Sequence, residues 1–395
     1  MKVIKMKMQT GLDIFEKNWP KKLRDSRVGL IVHPASVNRK LEPAVDCFLK
    51  FRKIELKALF GPQHGIRGET QDNMIEWQGF KNKQTGLPVY SLYSHTRKPE
   101  PSMLKDIDVM VIDMQDIGSR YYTFIWTMEL CMQACDEMNK SVVILDRPNP
   151  LGGILTEGTV LDMVYTSFVG QRPLSVRHGM TIGEIAGYFK NEFYPSLDFH
   201  VIKMKGWRRK MCFDETGMEW VMPSPNIPTL NTAIVYPGMC LLEGTNLSEG
   251  RGTTRPFEIF GAPFIGPDIL VKELKKFKLP GVNFRPMYFQ PTFQKYANKL
   301  CGGAQIHVIN REKFKPFKTG VAIIKAIHDL YPEYFQWKQP PYEYETEKMP
   351  IDILAGTDRL RKDIENGKSI EHMEEWWKEQ SFEFQRKVRK RFLIY

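Results

Sequence analysis

Three loops that follow predicted strands carry side chains able to do chemistry. They are residues 61–69 (GPQHGIRGE), 113–123 (DMQDIGSRYYT) and 146–153 (DRPNPLGG). Each loop combines glycines with carboxylates, arginine or amides, and these groups exchange protons with polar ligands or form hydrogen bonds to them. Together the three loops predict a site for a polar ligand.

Two runs farther along the chain have the same character. Residues 223–228 (PSPNIP) form a segment stiffened by three prolines that presents Asn226. Residues 243–257 (EGTNLSEGRGTTRPF) contain three glycines, two acids and two arginines with almost no apolar filler. We interpret this second run as a loop that closes over a polar ligand.

Structural roles compete with functional ones in these loops. Asp113 and Asp116 could cap the helix that follows them, because negative charge is favourable at the start of a helix. Arg67 could cap a helix or bind an anion through two hydrogen bonds. His64 alone would suit a structural role, but the glycines around it favour a functional one. Residues 146–150 could serve mainly as a rigid turn.

Several familiar motifs are absent from the sequence. There is no GxGxxG after a strand, no GxxxxGK[ST], no HExxH and no GxSxG. Their absence disfavours dinucleotide binding, P-loop phosphate transfer, zinc proteolysis and the usual serine hydrolase. Carboxylates, amides and arginines without a nucleophile elbow suit glycoside hydrolysis, in which two acid groups flank the scissile bond.

The elements that must position these loops alternate between strand and helix. Apolar runs predict strands at 27–34, 54–60, 87–93, 108–114 and 141–145. Helical spacing predicts helices at 41–51, 99–106, 121–138 and 180–193, with Thr181 and Glu184 as a capping box for the last one. This alternation predicts an α/β fold with a parallel sheet, and ligands of such sheets bind beyond the carboxyl ends of the strands.

The sequence pattern changes at about residue 233, where the predicted loops become longer and prolines become frequent. Strands are predicted at 282–288 and 304–309, and helices at 320–330 and 369–391. We therefore expect a catalytic domain over residues 1–232 and a smaller α+β domain over residues 233–395 that completes the cleft.

Composition limits the classes of partner. The net charge is +11, but the basic clusters at 203–210 and 386–391 carry no aromatic stacking platform, so we expect no nucleic-acid partner. No apolar run approaches the length of a membrane span, and the first 20 residues do not read as a secretory signal. The six cysteines form no CxxC pair, which suits a cytoplasmic protein with reduced thiols. The sequence does not indicate an oligomeric state.

The runs GPQHGIRGE, DMQDIGSRYYTF, DRPNPLGG, PSPNIPT and EGTNLSEGRGTTRPFE resemble, in the same order, those of the exo-β-N-acetylmuramidase family NamZ, earlier named DUF1343. The resemblance runs from about residue 11 to the C-terminus. It implies a Rossmann-like N-terminal catalytic domain, a smaller C-terminal domain and an active-site cleft near their junction. It also implies release of N-acetylmuramic acid from the non-reducing end of peptidoglycan fragments, in cell-wall turnover and recycling, without a cofactor or a metal.

The resemblance allows residues to be assigned to roles as hypotheses. We expect Glu69 to be the general acid, Asp116 the second carboxylate and His64 a further catalytic residue; Glu243, Glu249 and Glu157 are rival carboxylates. The lactyl carboxylate of the substrate requires an arginine, and its hydroxyls and acetamide require amides and acids. The expected substrate-binding residues are Arg67, Gln115, Arg120, Tyr122, Asn149, Asn226, Asn246, Glu249, Arg251 and Thr253.

Other readings remain open at this point. The acetamide of the substrate could itself serve as nucleophile, in which case Asp116 would orient it. This chain differs from many family members in two respects: many have Glu where this chain has Gln63, and many are exported.

A different enzyme class is also open, a metal-dependent phosphohydrolase that uses Asp113, Asp116 and Asp146. A basic protein that binds glycan without catalysis is the non-enzymatic alternative.

Overall fold

The computed structural model describes residues 8–72 and 74–395. The strands are β1 Ser26–Ile31, β2 Ile54–Gly61, β3 Phe80–Lys81, β4 Pro88–Ser91, β5 Val109–Ile112, β6 Ser141–Leu145, β7 Glu157–Val160, β8 Ser175–Arg177, β9 Phe199–Ile202, β10 Ile259–Ala262, β11 Val282–Phe289 and β12 Cys301–Val308. The α-helices are α1 Gly11–Asn18, α2 Ala44–Lys50, α3 Pro101–Leu104, α4 Phe124–Glu137, α5 Ile182–Phe193, α6 Leu230–Met239, α7 Pro267–Lys276, α8 Pro316–Leu330, α9 Pro350–Ala355, α10 Arg359–Glu365, α11 Ile370–Phe384 and α12 Lys390–Phe392.

A seven-stranded sheet forms the centre of the N-terminal part. Its order is β3-β4-β2-β1-β5-β6-β9, and all neighbours are parallel except the short β3 beside β4. The chain winds outward from β1 in one direction and from β5 in the other, so the two halves diverge between these strands. This arrangement is a doubly wound, Rossmann-like sheet and confirms the predicted fold class.

Helices cover both faces of this sheet and explain why its central strands are apolar throughout. Strands β5 and β6 are buried along nearly their whole length, as expected when no face meets water. One face packs against α4 and α5, and the other against α1 and α2. The predicted capping box of α5 is confirmed, because Thr181 accepts from Glu184 N while the Glu184 carboxylate accepts from Thr181 N.

A smaller α+β unit follows, built on an antiparallel sheet of order β10-β12-β11. Helix α7 packs on it, α8 packs against α7, and α6 crosses α8 closely. The crossing requires glycine, because a Cβ at Gly238 would lie 1.8 Å from the carbonyl oxygen of Pro316. Gly320 on α8 faces the same contact.

Several sequence predictions differ from the observed elements. The predicted helix at 369–391 is interrupted, because a π-helical turn at Gln385–Arg389 separates α11 from α12. Helix α8 begins four residues before the predicted start, with Pro316 in its first turn where its missing N–H costs nothing. The β7–β8 hairpin, strands β3, β9 and β10, and helices α1, α6, α7, α9 and α10 were not predicted.

Candidate active site

A pocket lies where the loops after β2 and β5 meet loops of the C-terminal half. It is lined by Gln63, His64, Tyr121, Tyr122, Thr123, Val169, Ser224, Asn226, Ile227, Tyr236, Glu243, Arg251, Phe257, Tyr342 and Glu343. Four of these residues, His64, Tyr122, Asn226 and Arg251, are among the predicted site residues. Four of the five predicted loops therefore meet at the pocket, with aromatic rings forming much of the wall, whereas residues 146–153 do not line it.

The loop after β2 holds His64 in an unusual backbone conformation. His64 has φ +68° and Gly65 has φ +77°, both in the left-handed region that residues with a side chain adopt uncommonly. The Nδ1 of His64 lies 2.7 Å from the carbonyl oxygen of Thr70. Burial lowers the pKa of His64 to about 4, so the imidazole is neutral at physiological pH.

Asn226 connects this loop to the 223–228 segment. Its Nδ2 donates to the carbonyl oxygen of Gln71 at 2.5 Å, and its Oδ1 accepts from Gln71 Nε2 at 3.4 Å. The amide that we expected to bind substrate thus also fixes one wall of the pocket.

A chain of hydrogen bonds runs along the pocket wall to a buried carboxyl. The Thr123 hydroxyl donates to Gln63 Oε1 at 2.8 Å, and Gln63 Nε2 donates to the Tyr93 hydroxyl at 3.0 Å. Tyr93 in turn donates to Glu343 Oε2 at 3.0 Å. Gln63 is therefore an uncharged member of this series of hydrogen bonds, between Thr123 and Tyr93.

The carboxyl at the end of that chain, Glu343, is almost inaccessible to solvent. Burial raises its pKa to about 7, and the negative charge of Glu243 contributes to the same shift. Glu343 therefore changes its protonation state in the physiological pH range. It lies on the segment after Pro341, about one hundred residues from the nearest predicted site residue.

Glu243 has the opposite environment. Its Oε1 accepts from Arg251 Nη2 at 2.8 Å, and its Oε2 accepts from the Tyr342 hydroxyl at 2.8 Å. Burial alone would raise the pKa of Glu243, but the Arg251 charge and these hydrogen bonds hold it below its ordinary value. The pocket thus contains one carboxylate that stays ionised and one that titrates near neutrality.

Arg251 is held between two acids and an aromatic ring. Besides Glu243, its Nε lies 3.3 Å from Glu249 Oε1, and its guanidinium lies 5.0 Å from the centre of the Phe257 ring. Glu249 also pairs with Lys295 at 3.0 Å and does not line the pocket. These contacts raise the pKa of Arg251, so it is a permanent positive charge in the pocket wall.

Asp116 is buried near the pocket but is not one of its lining residues. Its Oδ2 accepts from Gly118 N at 2.7 Å and lies 3.3 Å from His178 Nε2. Its charge contributes to raising the pKa of the Tyr122 hydroxyl. Gly118 is required in this turn because a Cβ would lie 2.5 Å from Asn149 Oδ1.

The predicted general acid, Glu69, lies exposed on the loop whose neighbouring residues contact the pocket. It does not line the pocket itself. Thr70 and Gln71, which follow it directly, bond to His64 and Asn226. Glu69 therefore lies outside the wall, next to residues that brace the wall through His64 and Asn226.

Arg120 was predicted to bind substrate, but its contacts in the structure are to backbone carbonyl oxygens. It is fully buried, and its guanidinium donates to three carbonyl oxygens, those of Thr159 at 2.8 Å, Leu174 at 3.0 Å and Leu354 at 2.7 Å. Burial lowers its pKa to about 10. Arg120 therefore ties the loop after β5 to β7 and α9 instead of facing the pocket.

Five other predicted binding residues lie outside the pocket lining. Gln115 donates to the carbonyl oxygens of Asp116 and Pro148, and Asn149 donates to that of Met180. Asn246 donates to the carbonyl oxygen of Tyr334, and Thr253 donates to that of Gly250. Arg67 is exposed, and its guanidinium carbon lies 4.5 Å from the centre of the Phe80 ring.

The strand-end aspartates are engaged in separate structural contacts. Asp113 forms a buried ion pair with Arg147 at 2.6 Å and 2.8 Å. Asp146 accepts from Thr181, Gly183 and Tyr395. Among the described residues no group of three or more His, Cys, Asp or Glu side chains is arranged to hold a metal ion. The contacts of these aspartates give no support to the phosphohydrolase reading.

Sequence reasoning missed Glu343 as a site residue. Its surroundings, PPYEYETEK, contain no glycine-rich run or spacing that distinguishes this acid from a surface residue. Tyr342, Tyr236, Ser224 and Thr123 were also not assigned to the site. Only the fold brings them together.

The comparison with known proteins identifies the family of the chain. The family model described as "Exo-beta-N-acetylmuramidase NamZ, N-terminal" matches residues 28–231, and the one described as "Exo-beta-N-acetylmuramidase NamZ, C-terminal" matches residues 234–395. The chain belongs to the NamZ family. A curated NamZ-family relative, the peptidoglycan β-N-acetylmuramidase NamZ of Bacillus subtilis (strain 168), is 47% identical over 391 residues, which cover 99% of this chain and 92% of the relative.

Two solved structures of DUF1343 family proteins from Bacteroides fragilis NCTC 9343 are similar to this NamZ-family chain. One has a TM-score of 0.88 at 35% identity and covers 99% of both chains. The other has a TM-score of 0.76 at 29% identity and covers 98% of this chain and 99% of its own. The family resemblance drawn from the loop motifs is confirmed.

Proposed function

We propose that the pocket binds the terminal N-acetylmuramic acid of a peptidoglycan fragment. The chain is an exo-β-N-acetylmuramidase, a glycosidase that releases this sugar from the non-reducing end. The observation that carries this conclusion is similarity to the Bacillus subtilis enzyme over 99% of the chain. Both family models match, so both halves that wall the pocket are included.

The chemistry of the pocket lining suits a substituted sugar. Tyr121, Tyr122 and Tyr236 supply aromatic wall for the sugar ring, while Asn226 and Ser224 supply hydrogen-bonding groups for hydroxyls or the acetamide. This combination of ring surfaces and polar groups supports a sugar-binding site.

Arg251 is the best candidate to bind the lactyl carboxylate. Of the three arginines considered from the sequence, it is the one that lines the pocket, whereas Arg120 is buried on carbonyl oxygens and Arg67 is exposed. A lactyl carboxylate near Arg251 would share its positive charge with Glu243 and Glu249.

Glu69 remains our candidate for the general acid, and its exposed position has a physical reason. When the terminal sugar fills the pocket, the rest of the glycan must extend outward through the mouth. The glycosidic oxygen then lies at the rim, and the group that protonates it must also be there. Catalytic geometry often tightens only when substrate is bound, so exposure of Glu69 in the free protein is compatible with this role.

Glu343 replaces Asp116 as our candidate for the second carboxylate. It is the titratable acid in the pocket wall, whereas Asp116 does not line the pocket. In a substrate-assisted reaction its ionised form would accept the acetamide N–H and orient the carbonyl oxygen toward the anomeric carbon. Asp116, next to His178, would then position the loop that carries Tyr122 and Thr123.

For the domain boundary and the cellular compartment, we propose what the sequence predicts. We place the boundary between catalytic and C-terminal domains at residues 232 and 233. All six cysteines are free, which suits a reducing, cytoplasmic setting. No helix in the described part of the chain is both long and apolar enough to cross a bilayer.

The direct test of exo-action uses two β-linked disaccharides of opposite order. We expect hydrolysis when N-acetylmuramic acid occupies the non-reducing end and no hydrolysis when N-acetylglucosamine occupies it. Chromatography of the released monosaccharides measures both reactions. Equal cleavage of the two disaccharides, or cleavage of the second alone, would refute the proposal.

A further inference from the structure

Two adjoining cavities lie apart from the proposed active site. The first, of about 260 Å³, is bounded by β7, residues 312–315 and α11. The second, of about 240 Å³, is bounded by residues 151–155, 209–212 and 311–312. They share Leu155, Arg177 and Glu312, and neither shares a lining residue with the active-site pocket.

Arg177, in the wall common to both cavities, is a buried cation with incomplete pairing. Its side chain is only 8% exposed. Its Nη2 donates to the carbonyl oxygen of Leu151 at 2.8 Å, whereas its Nε has no hydrogen-bond partner in the described part of the chain. None of the ion pairs among described residues includes Arg177. Burial lowers its pKa, which marks an environment unfavourable to its charge.

Neither of the neighbouring acids, Glu157 and Glu312, forms an ion pair with Arg177. Glu157 contributes a favourable charge to Arg177, but its carboxylate oxygens accept from the backbone N–H groups of Phe317 and Lys318 at the start of α8. Glu312 lies in the shared wall as an exposed side chain. A buried guanidinium without an ion-pair partner is unfavourable in free energy. A carboxylate that binds to it would offset that cost.

The second cavity has a positive potential and an aliphatic patch. Arg177, Arg209, Lys210 and Arg311 line it against the single acid Glu312. Arg209 is already engaged by Glu184 and by the carbonyl oxygens of Gly179 and Tyr395, and Arg311 pairs with Asp214. Arg177 and Lys210 are therefore the cations best able to accept a new anion.

Ile154 and Leu155 supply the apolar part of the wall. Ile154 is 55% exposed and Leu155 is 38% exposed, so both side chains are accessible to a ligand. A ligand that matches both features carries a carboxylate next to a short aliphatic portion.

We propose that these cavities form an accessory site that binds the C-terminal carboxylate of a short aliphatic peptide, with Arg177 as its principal ligand-binding residue. The carboxylate pairs with the Arg177 guanidinium and Lys210, and the aliphatic side chains of the peptide rest on Ile154 and Leu155. This site is separate from the glycosidase pocket and does not depend on the role assigned to that pocket.

The test uses N-acetyl-Ala-Ala as the free acid and as the C-terminal amide, titrated by calorimetry or by NMR. We expect the acid to bind at least about tenfold more tightly than the amide, because only the acid can pair with a guanidinium. Arg177→Gln should abolish the preference for the acid. Equal affinity of acid and amide, or no binding of the acid at millimolar concentration, would overturn the proposal.

A surface variant keeps the test decisive if Arg177→Gln does not fold. Ile154→Trp fills the second cavity from its exposed side without removing core, and should lose binding of the acid at an unchanged melting temperature. Ile269→Trp is the matched control, since Ile269 is 58% exposed on α7 and lines neither cavity. Wild-type affinity in Ile154→Trp would reject the site, whatever the activity of these variants on glycan.

Discussion

Two carboxyl groups in the same pocket are given different protonation states by their neighbours. Arg251 and Tyr342 hold Glu243 ionised, whereas burial and the charge of Glu243 raise the pKa of Glu343 to about 7. Environments that separate the pKa values of nearby acids are a common basis for assigning acid and base roles. At the residue scale, the question is therefore which acid acts on which atom of the substrate.

Leaving-group chemistry separates the roles of Glu69 and Glu343. We expect Glu69→Gln to lower turnover of a disaccharide by about 10²–10⁴-fold, because an alkoxide leaving group needs a proton. The same variant should retain most turnover of a nitrophenyl muramide, whose leaving group departs without protonation. Glu343→Gln should lose turnover of both substrates, because orientation of the acetamide is needed in either case.

Glu347→Gln is the control for these measurements, since Glu347 is an exposed acid on the same segment as Glu343. It should behave as wild type with both substrates. Full disaccharide activity in Glu69→Gln would eliminate Glu69 as the acid. The opposite pattern, with Glu343→Gln rescued by the nitrophenyl group, would transfer the acid role to Glu343.

The Tyr93 hydroxyl provides a test based on pH. If the ionised form of Glu343 is active, kcat/KM with the nitrophenyl muramide should rise as pH passes through about 7. The hydrogen bond from Tyr93 lowers the pKa of Glu343, so Tyr93→Phe should move this rising limb to higher pH. Tyr334→Phe, which changes an exposed tyrosine, should leave it in place. A limb that does not move in Tyr93→Phe would contradict the assignment.

Residue types predicted the pocket more successfully than residue roles. His64, Tyr122, Asn226 and Arg251 line it as expected from their loops. Arg120 could not be distinguished from them, since an arginine that binds three carbonyl oxygens looks the same in sequence as one that awaits a carboxylate. Glu343 was missed because its pKa depends on burial, which the fold alone creates.

At the scale of elements, buried arginines connect segments that are distant in the chain. Arg120 follows β5 and binds carbonyl oxygens on β7, before β8 and in α9. Arg389, near the C-terminus, likewise donates to the carbonyl oxygens of Gly153 and Gly179. These contacts fix the β7–β8 hairpin between the central sheet and the C-terminal helices.

Arg120→Gln tests this structural role. The shorter amide cannot reach all three carbonyl oxygens, so we expect the free energy of unfolding to fall by about 3 kcal/mol. Chemical denaturation measures this change. Arg67→Gln, at an exposed arginine, should change stability by less than about 0.5 kcal/mol. If Arg120→Gln were as stable as wild type but failed to bind N-acetylmuramic acid, Arg120 would be a substrate residue after all.

Element prediction succeeded where burial is uniform. The apolar runs of β5 and β6 and the capping box of α5 leave few alternatives for those residues. The β7–β8 hairpin was missed because its strands, EGTV and SVR, are short and carry no alternation long enough to detect. Their strand conformation depends on packing against α11 and on Arg120.

At the scale of the whole molecule, the C-terminus is tied back to the N-terminal sheet. The Tyr395 hydroxyl donates to Asp146 Oδ2 at 2.6 Å and accepts from Met204 N at 2.7 Å. Helix α11 packs against β7. The two predicted domains therefore share contacts well beyond the active site, and we expect the chain to unfold in a single transition.

Tyr395→Phe should destabilise the protein in a manner that depends on pH. Burial raises the pKa of Asp146 to about 7, above its unfolded value, so its contribution to stability is greatest at low pH and is lost as pH rises through 7. The Tyr395 hydrogen bond opposes this loss because it lowers the pKa. The variant should therefore be less stable than wild type by about 1–2 kcal/mol, with a larger difference at pH 8 than at pH 5.5.

Thermal unfolding of both proteins across this pH range measures the effect, with Tyr334→Phe as the control. A difference that is constant with pH would show that the hydroxyl does not act through ionised Asp146.

The measurement that tests the central claim most directly compares a chromogenic β-N-acetylmuramide with the matching β-N-acetylglucosaminide, with EDTA present. The two substrates differ only in the lactyl group. We predict release from the muramide alone, undiminished by EDTA, and loss of that preference in Arg251→Gln. Equal release from both substrates, or release from the glucosaminide alone, would contradict an enzyme that recognises N-acetylmuramic acid.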